Sequence, residues 1–278
     1  MMEIYVGTSG WMYPWNEGGS LDWYINYSGL NAVELNASFY RFPFQNAINS
    51  WKTKGGSLRW SVKVNQLITH KFKFNEKAFE AWMRFKELFR PMDHLIDFYL
   101  FQLPPLMSIS SQPRIEAFVD KTGLKGRFAL EPRNITWFND TIISWASNIG
   151  ITLVSVDCPD LPQTIFNVNG IIYERMHGRT IWYGHYYSTK ELKEVAERII
   201  KEAGVEKITV VDYRKDQKRK LEELVYPFRI LGLSKVWLPG NITEFKIILE
   251  GRELDEKQVQ TLEKLAKKLG INVRIQTL

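Results

Sequence analysis

Three carboxylates, two arginines, one lysine and one histidine fall at the polar ends of short apolar runs. Alternation along a strand would turn them to one face: Glu34 with Asn36, Lys63 with Ser61, Glu131 with Arg133, Asp157 with Ser155, and Tyr173 with Arg175 and His177. The apolar residues between them, Leu35, Val62, Val156 and Met176, would then face helices, and Gln102 joins the polar set if its run keeps the same phase. Glu131 and His177 are a carboxylate and an imidazole that neighbours can tune into a general acid/base pair near neutral pH. Arg133 and Arg175 suit a carboxylate or phosphate held in bidentate fashion. Lys63 suits an oxyanion or, once desolvated, the role of base or Schiff-base nucleophile, although a strand-end lysine is more often a salt-bridge partner. The catalytic candidates are therefore Glu131, His177 and Lys63, and the substrate-binding candidates are Glu34, Asn36, His70, Gln102, Arg133, Asp157 and Arg175.

Isolated buried charges are costly, so ion pairing within this set is expected, and a purely structural reading has Glu34, Glu131 and Asp157 neutralising Lys63, Arg133 and Arg175. A function is favoured because strand ends carry such charges at a cost that branched apolar side chains would avoid. Glu34, Glu131, Asp157 and His177 also have the chemistry for a divalent cation. No His-x-His or His-Glu-x-x-His spacing supports one, and the arginines would repel it, so no cofactor is expected and a divalent metal is a secondary reading.

The elements that must position these groups are eight strand-like runs: 4–6, 32–33, 58–62, 98–101, 128–130, 152–156, 171–173 and 208–211. Helical patterns separate them. Glu76 to Phe89 carries Phe79, Trp82, Met83 and Leu88 on one face, and the stretch from Thr189 carries Leu192, Val195, Ala196 and Ile199 behind a Ser188 or Thr189 cap. This alternation predicts an α/β fold, a (β/α)8 TIM barrel over residues 1–233 closed by a helix at 221–231, with its site at the C-terminal strand ends. Residues 234–278 read as a small C-terminal β-α-β appendage, packed on the barrel or on a partner.

A chain of 278 residues, 45% hydrophobic, can bury one large core. Neither a leader-like N-terminus nor a membrane-length apolar stretch is present, which predicts a cytoplasmic protein with no membrane partner. Its single cysteine, Cys158, excludes an internal disulfide and multi-cysteine metal sites, and reads as a bystander. The formal charge of +6 favours anionic ligands without requiring nucleic acid. Gly178-Arg179-Thr180 and the basic run from Arg214 to Lys220 occupy the two loops where many barrels hold phosphate. Aromatics crowd the other loops, at Trp11, Tyr13, Trp15, Phe39, Tyr40, Trp137, Phe138, Trp182, Tyr183, Tyr186 and Tyr187, where they either stack on a ligand or hold helices to the barrel. His70 and His185 lie on loops that can reach the mouth.

Gly7-Thr8-Ser9-Gly10-Trp11, Glu34-Leu35-Asn36 with Ser38-Phe39-Tyr40, Ser61-Val62-Lys63 with Thr69-His70, Phe101-Gln102-Leu103-Pro104-Pro105, Glu131-Pro132-Arg133 with Trp137, and Arg175-Met176-His177-Gly178 occur in that order. The set resembles the YecE-like proteins, domain of unknown function 72, over about residues 3 to 187. The resemblance implies a TIM barrel with a polar pocket at the C-terminal strand ends, formed by Glu34, Asn36, Lys63, His70, Gln102, Glu131, Arg133, Arg175 and His177. It implies no particular reaction. The chain departs from the family at the eighth strand, with Val211-Asp212-Tyr213-Arg214 in place of a Phe-Asn-Asn motif, and at Pro132 and Asn134, where an aromatic and a histidine are common.

These residues support an enzyme using acid/base chemistry, hydrolytic or isomerising, on a small polar anionic ligand, phosphate- or carboxylate-bearing and sugar- or nucleotide-like. The alternatives are a nucleic-acid-binding or processing barrel, with bases on the aromatic loops and phosphates on the basic run, and a non-catalytic ligand-binding scaffold using residues 234–278 for a partner. The oligomeric state is not encoded in these motifs.

Overall fold

The computed structural model describes residues 3–202, 207–212, 244–249 and 272–277. Parallel strands β1 (Glu3–Ser9), β2 (Ala32–Leu35), β3 (Arg59–Lys63), β4 (Ile96–Gln102), β5 (Phe128–Glu131), β6 (Thr152–Asp157) and β7 (Ile171–Met176) lie side by side in chain order in a curled sheet. A further strand, β8 (Lys207–Asp212), is hydrogen-bonded to both β7 and β1. Helices α1 (Leu21–Tyr27), α2 (Gln45–Lys54), α3 (Glu76–Phe89), α4 (Gln112–Thr122) and α5 (Ile142–Asn148) fill the first five crossovers, and α6 (Thr189–Ile200) links β7 to β8.

The crossover from β6 to β7, residues 158–170, carries no helix, which departs from the expected β/α repeat. Pro159 and Pro162 remove amide donors and restrict the residues before them, and Asn169 and Gly170 end the segment in left-handed backbone. The helix expected at 221–231, the boundary near 233 and the basic run at 214–220 lie outside the described residues. In the C-terminal extension, β9 (Glu244–Leu249) and β10 (Asn272–Thr277) pair in parallel, and the helix expected between them lies outside the described residues. Among the described residues no helix is long and apolar enough to cross a membrane.

Helix faces follow from apolar spacing. In α3 the buried set is Ala78, Ala81, Trp82, Phe85 and Phe89, rotated from the expected face so that Met83 is exposed, and Asn75 caps the N-terminus by accepting from the Ala78 amide. In α6, Leu192, Val195, Ala196 and Ile199 are buried as expected, and Ser188 and Glu191 form a reciprocal capping box.

The sheet is buried on both sides. Its outer layer is aromatic: the Phe101 and Phe128 rings stack at 3.8 Å, with Phe118 and Trp82 against them. Its inner face carries a separate apolar cluster of Phe98, Leu100, Ala129, Val154 and Tyr173, and this cluster fixes which residues of each strand point inward.

Candidate functional site

Above the inner cluster, toward the C-terminal strand ends, the apolar layer gives way to charge. β7 supplies the hub, because Tyr173, Arg175 and His177 share its inward face. The fully buried Arg175 guanidinium donates from Nε and Nη2 to Glu34 Oε2 and Oε1 at 2.8 and 2.7 Å, and from Nη1 to Glu131 Oε2. Glu34 also accepts from Ser9 Oγ at 3.2 Å, and the Tyr173 hydroxyl sits 2.7 Å from both Glu34 Oε2 and Ser61 Oγ. On the other side, Glu131 Oε1 accepts from Arg133 Nε and from Gln102 Nε2 at 3.0 Å. His177 Nε2 lies 2.9 Å from Arg133 Nη2 and 3.3 Å from Arg175 Nη1. Guanidinium nitrogens only donate, so Nε2 accepts and the ring proton belongs on Nδ1.

The electrostatics follow from this alternation of charges. Burial alone would raise the Glu131 carboxyl, but Arg133 and then Arg175 outweigh it and hold Glu131 ionised, well below the usual range. Burial, reinforced by the same two arginines, keeps His177 neutral, well below the usual histidine value. Two carboxylates thus balance two guanidinium groups. Lys63 is the surplus cation: its side chain is 6% exposed, and among the described residues no carboxylate or hydrogen-bond acceptor meets its amine, which lies 4.1 Å from the centre of the Phe39 ring. Burial and then Arg175 push it down to about 7, against the weaker pull of Glu131 and Glu34.

The loops hold this arrangement in place. Ser38 Oγ donates to the Lys63 carbonyl at 2.6 Å, and Asn65 Nδ2 donates to the Ser38 carbonyl at 2.9 Å, tying the ends of β2 and β3 together. A single π-helical turn, Leu67–Lys71, carries His70 to the edge of Phe39, 5.1 Å between ring centres. Burial, then Lys63 and Arg133, lower His70 as well. Beside His70 opens a groove of about 560 Å³ lined by Tyr40, Arg41, Asn65, Gln66 and Lys71. On the β7 side, Trp182 lies over the Arg133 guanidinium at 4.7 Å and 5.5 Å from the His177 ring. Its loop turns at Gly178, where φ is +109° and a Cβ would collide with the Ile181 carbonyl.

The structure therefore gathers Glu34, Lys63, Gln102, Glu131, Arg133, Arg175 and His177, with His70 beside them. Asn36 stands at the end of β2 with its Oδ1 buried and without a hydrogen bond among the described residues. Asp157 is the exception. Val154 faces inward, so Ser155 and Asp157 face the helices, and Asp157 pairs there with Arg179 at 3.0 Å and Arg198 at 3.2 Å while accepting from Tyr187. Asp157 is thus no part of the inner cluster, and Val156, expected outside, takes the inward phase. Arg179, expected to meet phosphate, is held by Asp157 and Glu194, and His185 turns to Glu191. Arg175 is fully buried and each of its three guanidinium nitrogens donates to a carboxylate, two to Glu34 and one to Glu131.

Glu174 was not anticipated. It lies on the outer face of β7, fully buried, with Oε2 lacking a partner among the described residues, and burial followed by Asp157 raises its carboxyl well above the usual range. Its only sequence signal is a carboxylate between Tyr173 and Arg175, on the face opposite theirs. Most loop aromatics hold structure: Trp11 packs on Trp51 and Trp60, and buried Trp137 donates to the Met107 carbonyl. Phe39, Trp182 and Tyr183 meet the charged cluster, the last edge-on to the His177 ring at 5.5 Å. Asn134, a departure from the family pattern, caps the turn after β5 through the Thr136 amide. Burial pushes the Cys158 thiol up to about 11, against metal or nucleophile chemistry there. Among the described residues no group of three His, Cys, Asp or Glu side chains is placed to hold a metal ion.

No curated protein matches the sequence. A DUF72 family protein from Enterococcus faecalis, known from two crystal structures, has a similar fold at 18% identity. One gives a TM-score of 0.71, covering 91% of this chain and 100% of that one, and the other 0.67, covering 84% and 99%. A DUF72 family protein from Thermotoga maritima gives a TM-score of 0.66 at 23% identity, covering 78% of this chain and 94% of that one. At such identities the likeness speaks for the fold alone. The sequence model described as protein of unknown function DUF72 matches residues 5–223, most of the length, and the chain belongs to the DUF72 family.

Proposed function

We propose that this chain is a (β/α)8 TIM-barrel enzyme that binds a small phosphate- or carboxylate-bearing ligand at its C-terminal strand ends and transfers protons there. One observation carries the reading: among the described residues Lys63 is a buried amine without a counter-ion, beside two carboxylates that are paired with two arginines. A ligand anion supplies the missing partner. Asn36 Oδ1, buried without a hydrogen bond, offers an acceptor to a ligand hydroxyl.

The proton-transfer role moves accordingly from Glu131 and His177 to Lys63. Glu131 stays ionised and saturated by donors, and His177 stays neutral, so together they orient Arg133. Lys63 changes protonation near neutrality: it donates when an anion holds it charged and accepts when the anion leaves. Arg133, with part of its side chain at the surface under Trp182, is the cation that can share the ligand.

Calorimetric titration with inorganic phosphate and with citrate at low salt tests the proposal. Lys63→Met should weaken the tighter of the two by at least about tenfold, the value of one charge-assisted hydrogen bond. Equal affinity of wild type and variant for both anions overturns it.

A further inference from the structure

Beyond anion binding, we infer that Lys63 forms an imine with a carbonyl group of its ligand, so that the substrate class is an aldehyde or ketone carrying a phosphate or carboxylate. This deepens the function proposed above and rests on it for the anion, while the carbonyl is argued independently from the surroundings of the amine.

A lysine that serves as a salt-bridge partner has a carboxylate in reach. Here Glu34 and Glu131 are both taken by arginines, and the amine is left against Phe39. Beneath the mouth, Phe98 and Leu100 belong to the apolar cluster of the inner face. Ser38 fixes the backbone of Lys63 through its carbonyl, which limits the directions the side chain can take. An ammonium needs donors satisfied in such a place, whereas a neutral amine does not.

Condensation is balanced by groups on hand. The Lys63 lone pair forms the C–N bond as the carbonyl π pair moves to oxygen. The amine then gives up a proton and the oxygen takes one, with His70, a neutral imidazole against the same Phe39 ring, as the base on hand. The hydroxyl takes up a second proton and leaves as water while the nitrogen pair closes the C=N bond. Overall, carbonyl, amine and one proton give a protonated imine and water. The positive charge so created is offset by the anion of the ligand. The groove beside His70, lined by Arg41 and Lys71, leaves room for an anionic group beyond the carbonyl.

Reductive trapping tests this. The protein is incubated at pH 7 with glyceraldehyde 3-phosphate and sodium cyanoborohydride, in parallel with butyraldehyde, and modified lysines are mapped by peptide mass. With its amine pushed down to about 7, Lys63 is roughly half neutral, against about one part in 3,000 for a lysine at 10.5. Allowing for lower intrinsic nucleophilicity, Lys63 should label at least about tenfold faster than exposed lysines such as Lys52 and Lys77. Lys63→Met, shown folded by circular dichroism, should lose that adduct alone. Labelling of Lys63 by butyraldehyde that inorganic phosphate does not slow upholds the imine and overturns the anion. Phosphate binding by calorimetry with Lys63 unlabelled in both arms overturns the imine and leaves the anion standing.

Discussion

Replacing Arg175 with methionine should expose how much of this fold depends on one guanidinium. Arg175 and both of its carboxylate partners are fully buried, and the side chain makes three charge-assisted bonds, two to Glu34 and one to Glu131. Glu131 keeps Arg133 and Gln102 in the variant, but Glu34 loses both of its guanidinium bonds and keeps the hydroxyl donors Ser9 and Tyr173. Removing one member of a buried pair costs about 3–5 kcal/mol, because the remaining charge stays out of water. For a domain of this size that is a fall in Tm on the order of 10 °C, measurable by circular dichroism and by urea unfolding. The decisive comparison is the double variant Arg175→Met/Glu34→Gln. With the orphaned charge gone, it should regain about 2 kcal/mol or more of the loss. A loss below about 1 kcal/mol for the single variant, or a double variant no better than the single, would refute the view that Arg175 neutralises Glu34.

Lys63→Met should stabilise the protein at pH 7, by at most about 4 kcal/mol. The sign follows from linkage: the folded amine sits near 7 and the unfolded one at 10.5, so the folded state is penalised below 10.5 and most heavily at and below 7. The gain must therefore fade as pH rises from 7 toward 10.5, and urea midpoints showing a constant gain across that range would count against it. Glu174 has the opposite form: its folded carboxyl is raised by burial and then by Asp157, so wild type loses stability as pH climbs above 4.5. Glu174→Gln should gain about 1–3 kcal/mol at pH 8 and nothing near pH 4, read from thermal melts at both values. Gly178→Ala should cost about 2 kcal/mol and alter tryptophan fluorescence as Trp182 shifts off Arg133, whereas an unchanged spectrum would mean the turn absorbs the methyl group.

Much of the site was legible because polar residues two apart at a strand end are a strong signal. Glu34, Lys63 with Ser61, Glu131 with Arg133, and Arg175 with His177 all meet on the inner face. The same rule misplaced Asp157. Strands of a parallel sheet are buried on both faces, so the alternation Ser155-Val156-Asp157 gives a phase without saying which face is inside. What decides it is Arg179 and Arg198, in the loop and helix after β7, far along the chain from β6. Glu174 escaped notice for the same reason, since β7 carries charge on both faces. The individual charges were readable, but their pairing was not. That Arg175 bonds both carboxylates while Lys63 meets none among the described residues depends on angles between strands that no local pattern records. In the β6–β7 crossover, the two prolines were a stronger signal than the expected repeat.

The bonds between Glu34 and Arg175 join positions 141 apart in the chain, on strands that are not neighbours in the sheet. During synthesis, Glu34, Lys63 and Glu131 emerge well before the guanidinium that balances the two acids. A nascent chain ending before β7 carries Glu34, Glu131, Lys63 and Arg133 but lacks the guanidinium that bridges the two acids, and has no completed site. Maturation of the site and closure of the fold are then one event, the slow non-local step of folding. A chain stalled or cleaved ahead of residue 175 would leave Glu34 without its guanidinium partner inside an unfinished sheet, a condition that exposes it to proteolysis.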